Sequence, residues 1–150
     1  MAAADCELCA LDGGALVLRN DELRIVLVDD ADYPGFVRVI WNAHVREMTD
    51  LAPAQIARLM GAVLAVEDAL RAVFTPLKIN LASLGNMTPH VHWHVIPRFA
   101  DDPHFPKPVW AERQRSVDRA GLAARRALLP ALGAEIRTRI STTQTQGVTR

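Results

Sequence analysis

Apolar positions along this chain change period in a way that separates strands from helices before any chemistry is considered. Val, Leu and Ile concentrate in Ala15 to Leu18 and Leu23 to Val28, two runs divided by Asn20-Asp21, and again in Phe36 to Trp41. Such runs, bounded by the turn formers Gly13-Gly14 and Pro34-Gly35, predict strands. From Leu51 to Phe74 the period becomes helical, with Ile56, Leu59, Met60, Val63, Leu64, Leu70, Val73 and Phe74 on one stripe. Pro53 suits the first turn, Thr49 or Asp50 offers a cap, and Thr75-Pro76 ends the element. Leu77 to Ser83 and Val91 to Pro97 read as two further strands joined by a turn-like segment. Asp101 to Pro108, with three prolines, reads as a loop, and Arg119 to Ile140 as a second helical region interrupted at Pro130.

This order, with short connections between strands, predicts an α+β fold: an antiparallel sheet of about five strands, one main helix packed on it and a C-terminal helical extension. The implied plan is one domain over residues 1–110, the extension over 111–140 and a polar, disordered tail over 141–150.

Composition narrows the class. A chain of 150 residues with 50% hydrophobic and 23% charged side chains suits one globular core, alone or in a tight dimer. No stretch reads as a membrane span, and the start lacks a basic segment leading into an apolar one, so a cytoplasmic location with no membrane partner is expected. The formal net charge is zero but unevenly spread: residues 1–50 hold ten acidic and four basic side chains, residues 111–150 three and eight. No aromatic residues interleave with those C-terminal arginines, which favours a solvated basic surface over a nucleic-acid interface. Cys6 and Cys9, spaced C-x-x-C, suggest a metal half-site or a redox pair rather than a structural disulfide.

The segment Pro89-His90-Val91-His92-Trp93-His94-Val95-Ile96-Pro97-Arg98 carries the chemistry. Histidines at i, i+2 and i+4 share one face of a strand, whereas on a helix they would diverge by about 100° each. Val91, Trp93 and Val95 then form an apolar opposite face. Imidazoles in such a row can act as nucleophile, proton donor and orienting group near neutral pH, or can present metal ligands.

The run His90-Val91-His92-Trp93-His94-Val95-Ile96 resembles the histidine-triad (HIT) motif, and the resemblance extends over about Cys6 to Arg98. It implies an enzyme that hydrolyses or transfers nucleotides at a phosphoanhydride or phosphoramidate bond. The middle histidine, His92, would attack the α-phosphate and form a nucleotidyl-histidine intermediate. His90 would support the site through a hydrogen bond, and His94 would contact phosphoryl oxygens or the leaving group. By the same resemblance Asn80, Asn86, Ser83 and Thr88 are candidates for phosphate and ribose contacts. Asp29, with Asp30 beside it, is similar to a family aspartate that accepts from ribose hydroxyls. Arg24, Ile25 and Leu27 are candidates for a base pocket. The chain departs from the family at Phe36, where a histidine is usual after the glycine, and in Val39-Ile40-Trp41-Asn42. Some family members bind structural zinc; here Cys6, Cys9, His44 and His90 would be its ligands. His104 reads as an ordinary loop residue. The resemblance also implies a purine-nucleotide substrate and a homodimer. A non-catalytic nucleotide-binding or signalling module, and a metal protein using the triad as ligands, are the competing readings.

Overall fold

The computed structural model describes residues 5–146, and those before and after lie outside the described residues. A single turn of helix, α1 (Glu7–Ala10), precedes the hairpin β1 (Ala15–Arg19) and β2 (Leu23–Leu27). Strand β3 (Val37–Trp41), the long helix α2 (Pro53–Phe74), β4 (Lys78–Ala82) and β5 (His92–Arg98) follow, and α3 (Arg119–Ala127) and α4 (Leu129–Gln146) end the chain. The five strands form one antiparallel sheet in the order β1-β2-β3-β5-β4. The α+β expectation is thus met.

Alternation decides what each face of the sheet carries. Leu23, Ile25, Val37, Val39, Trp41, Ile79 and Val95 point to α2 and are buried with Leu59, Val63, Val66 and Leu70 of that helix. The register pairs Arg24 with Ile40, Ile40 with His92, Arg38 with His94 and Asn80 with Ile96, so these residues share the opposite face. Gly35 turns the chain before β3 with φ of 88°, and a Cβ there would lie 3.0 Å from the Phe74 ring.

Several expectations change. Helix α2 begins at Pro53 with Ala52 as its N-cap, and Gln55 Oε1 accepts from the Ala52 N–H at 2.9 Å. Thr49 and Asp50 do not cap it; they form a 3₁₀ turn, Met48–Asp50, in which Asp50 accepts from the Glu47 N–H. Leu64 is 53% exposed, whereas Ala62, Ala65 and Ala69 are buried. Small residues let α2 sit between the sheet and α4, which widens its buried arc away from Leu64. Pro130 falls in the first turn of α4, where a missing N–H costs nothing. That helix runs through Gln146, so residues 141–146 are helical and not a disordered tail; residues 147–150 lie outside the described residues. Leu132, Ile136 and Ile140 of α4 belong to the same core as α2, so the extension has no separate interior.

The uneven charge also acquires an explanation. Arg113 pairs with Asp32, Arg125 with Asp101 at 2.8 Å, and Arg126 donates to the Ala31 carbonyl at 2.8 Å. Two of these arginines thus pair with acidic groups earlier in the chain, while Arg113, Arg115, Arg119, Arg126 and Arg137 remain exposed. Among the described residues no helix is long and apolar enough to cross a membrane.

Candidate active site and metal cluster

The three histidines do not stay in one row. Only His92 and His94 lie on β5, and His90 sits in the bend before it. The His92 and His94 rings meet edge to face, 4.9 Å between centroids. His90 instead turns its Nδ1 toward the Cys6 and Cys9 sulfurs, 3.5 Å from each, and donates from Nε2 to the Trp41 carbonyl at 2.6 Å. Its backbone carbonyl accepts from Nδ1 of His92, also at 2.6 Å. A carbonyl can only accept, so His92 carries its proton on Nδ1 and presents the lone pair of Nε2. The bend that diverts the His90 ring thus places its carbonyl under the His92 ring.

His92 and His94 are each 6% exposed, so the site is more closed than a solvent-lined strand face. Burial holds all three imidazoles below the usual imidazole range, opposed in part by the carbonyl partners of His90 and His92. The effect is largest at His94, pushed down to about 4 by burial, then by His92 and the Arg38 guanidinium. Neutral imidazoles at pH 7 keep a lone pair free for bond formation.

Other positions expected at the site fall in three groups. Asn80 and Ser83 flank β5, but Asn80 Oδ1 already accepts from Arg98 at 2.7 Å, and the Ser83 hydroxyl donates to the His92 carbonyl at 2.8 Å. Asn86 and Thr88 lie in the loop leading to His90, where Asn86 is exposed and the Thr88 carbonyl accepts from the His90 N–H. Asp29 is exposed just past β2, while Asp30 turns its carboxylate onto the N–H groups of Asp32 and Tyr33. Ile25 is in the core under α2, and Leu27 packs against it. Arg24 clamps the carbonyls of Leu8, Leu11 and Asp12.

Further side chains reach the site unannounced. The Phe36 and Trp110 rings both meet the His94 ring in T-shaped contacts, with centroids 5.4 and 5.3 Å away. Trp110 is 54% exposed and belongs to the segment after β5. A buried network anchors that segment. Arg98 donates twice to Asp102, at 2.7 and 3.0 Å, and once to the Lys107 carbonyl. Tyr33 OH lies 3.1 Å from Asp102 Oδ1 and 2.7 Å from Nδ1 of His104, which also stacks on its ring. His104 is therefore part of this anchor rather than an idle loop residue. Alternation on β3 turns Arg38 away from the core, but only the β3–β5 register shows that it meets His94.

Beside the triad, Cys6, Cys9, His44 and His90 bring one donor atom each to within 4.8 Å of one another. Cys6 caps α1, Cys9 lies within it, and Cys9 Sγ is 3.3 Å from Nδ1 of His44. Two sulfurs and two ring nitrogens at these separations suit tetrahedral coordination with no open position. The Trp41 carbonyl fixes the Nε2–H tautomer of His90 and leaves Nδ1 as a donor, the arrangement that orients a ligating histidine. Arg24 secures the cysteine-bearing turn from behind through the Leu8 and Leu11 carbonyls.

Residues 13–101 match the model of the HIT domain. The chain belongs to the HIT domain family. Over 70 residues it is 34% identical to the asymmetrical bis(5'-nucleosyl)-tetraphosphatase of Schizosaccharomyces pombe, a match covering 43% of this chain and only 38% of that protein. A histidine triad protein from Bradyrhizobium japonicum shares the fold with a TM-score of 0.68 and 26% identity, covering 86% of this chain and 92% of that one. A zinc-bound histidine triad family protein from Mycobacterium smegmatis aligns with a TM-score of 0.59 and 20% identity, covering 89% and 99% of the two chains.

Proposed function

We propose that this HIT protein is a nucleotide hydrolase or nucleotidyl transferase that cleaves a phosphoanhydride or phosphoramidate bond at the α-phosphate through a nucleotidyl-His92 intermediate. The observation that carries this reading is the pairing of His92 Nδ1–H with the His90 carbonyl. It aims the Nε2 lone pair into the site and stabilises the positive charge the ring acquires when Nε2 bonds to phosphorus. In the first step the Nε2–P bond forms while the bond from phosphorus to the leaving oxygen or nitrogen breaks, and the leaving group takes up a proton. In the second step water, or another acceptor, attacks phosphorus, loses a proton and restores His92. His94, neutral and beside His92, contacts the phosphoryl oxygens or the leaving group. Asn86 and Thr88 contribute to phosphate binding and Asp29 to the ribose, while Asn80 and Ser83 act by holding Arg98 and the His92 carbonyl. The relationship to a bis(5'-nucleosyl)-tetraphosphatase supports a dinucleoside polyphosphate as a substrate, with a purine nucleotide as product.

The cluster of Cys6, Cys9, His44 and His90 is proposed to hold zinc. Four protein donors leave no position for water, so the ion would act as a structural clamp joining α1 to the sheet. A metal centre made of the triad itself finds no support, because the His90 ring faces the thiols and not His92.

The test is a quench at alkaline pH, where an N–P bond survives, during turnover of a dinucleoside tetraphosphate. Mass spectrometry should find one nucleoside monophosphate on the wild type and none on His92→Ala, whose kcat should fall by several orders of magnitude. A variant that keeps more than about a tenth of the wild-type kcat would exclude His92 as nucleophile.

A further inference from the structure

Besides Arg19 at the edge on β1, which pairs with Asp12, three arginines stand on the triad's side of the sheet: Arg24 on β2, Arg38 on β3 and Arg98 on β5. Two of them are fully engaged by the protein. Arg24 donates to the carbonyls of Asp12, Leu8 and Leu11 and to Asn42 Oδ1. Arg98 is held by both oxygens of Asp102, by Asn80 and by the Lys107 carbonyl.

Arg38 differs. Its Nη1 donates to the Gly13 carbonyl at 3.2 Å, its only hydrogen bond among the described residues. Its Nε is shut off from solvent and has no partner. No carboxylate lies within ion-pair distance of it among the described residues. A guanidinium has five N–H groups arranged to match an oxyanion, and leaving them unpaired in a protein interior is costly. The neighbours are apolar, Val26 on β2 and Ile40 on β3, except on one side, where the register sets Arg38 directly opposite His94. Nδ1 of His94 is likewise buried without a partner. The fold thus leaves two polar groups incomplete next to His92, whose ring meets that of His94.

We propose that Arg38 is the phosphate-binding cation of this site, its free N–H edge holding a phosphoryl oxygen of the nucleotide whose phosphorus lies at His92. The inference rests on the nucleotide reading above and adds the group that meets the phosphate charge. A guanidinium holds its charge at any working pH and grips oxygen in a fixed fork. The same fork could instead read the acceptor edge of a guanine base, so the test must separate phosphate from base.

The experiment is calorimetric titration of the full chain with AMP, GMP, adenosine and guanosine, using wild type, Arg38→Met and Arg38→Lys. Loss of a charge-assisted contact should weaken AMP and GMP by about 10- to 100-fold in Arg38→Met and change both nucleosides by less than about twofold. Arg38→Lys should fall between wild type and Arg38→Met for the nucleotides. Arg38→Gln, which keeps a donor for the Gly13 carbonyl, replaces Arg38→Met if that variant does not fold. Equal weakening of nucleosides and nucleotides overturns the proposal, and so does an effect confined to GMP and guanosine. If wild type binds AMP and GMP and the variants bind them as tightly, Arg38 has no such role while the nucleotide site stands. If wild type binds no nucleotide, both readings fall together.

Discussion

Replacing Asp102 by Asn tests how the segment carrying Trp110 is held over the site. Asp102 and Arg98 are each 2% exposed and joined by two hydrogen bonds, at 2.7 and 3.0 Å. The carboxylate also accepts from the N–H groups of Phe99, His104 and Phe105. Burial alone would raise its pKa, but the Arg98 hydrogen bonds, then the backbone N–H groups, hold it below the usual carboxylate range. Asp102→Asn keeps the shape and the Oδ1 acceptor. It removes the charge and turns an amide donor toward Arg98 Nε, leaving a buried guanidinium with neutral acceptors alone: the retained Oδ1, Asn80 and the Lys107 carbonyl. Removing one partner of a buried ion pair costs about 3–5 kcal/mol. Against a total stability of about 5–15 kcal/mol, this is a large fraction. Urea unfolding at pH 7 should show the loss, and Tm should fall on the order of 10 °C. Because the folded pKa is lowered, the stabilisation is fully present above the ordinary carboxylate pKa and is lost as pH falls through the folded value. The gap between wild type and Asp102→Asn should therefore be constant above about pH 5 and close in stronger acid. Adding Arg98→Met to Asp102→Asn removes the stranded charge and should recover about 2 kcal/mol or more. An Asp102→Asn protein within about 1 kcal/mol of wild type, or a double variant no more stable than the single one, would refute the reasoning.

Two further outcomes follow from the other parts of the molecule. Protein purified without chelator should carry one zinc per chain, and Cys6→Ser with Cys9→Ser should lower Tm more than it lowers kcat; absence of metal together with unchanged melting would remove the site. The chain should sediment as a homodimer of twice 16.5 kDa at micromolar concentration, because β4 is an edge strand with Leu77 and Leu81 exposed near it, whereas α4 packs along the β1 side; a monomer under those conditions would overturn this.

Much of the fold and part of the site could be read from local pattern. Apolar runs bounded by turn formers located the five strands, and the period near 3.6 after Leu51 located α2, because each element must bury apolar side chains of its own. The histidine spacing and the cysteine pair were visible for the same reason: the chemistry is concentrated in a few consecutive residues. What the pattern did not carry depends on partners distant in sequence. The His90 ring leaves its neighbours because Trp41 offers a carbonyl to Nε2 and Cys6 and Cys9 lie on its other side. Leu64 is exposed because α4, some 70 residues later, covers the alanine side of α2. Arg24, Arg38 and Arg98 are alike as letters between apolar residues. Two became structural clamps and one was left incomplete beside His94, a distinction set by which carbonyls and carboxylates the folded chain brings to each. Periodicity says which face a side chain takes; only the packed structure says whether a polar group on that face is already satisfied.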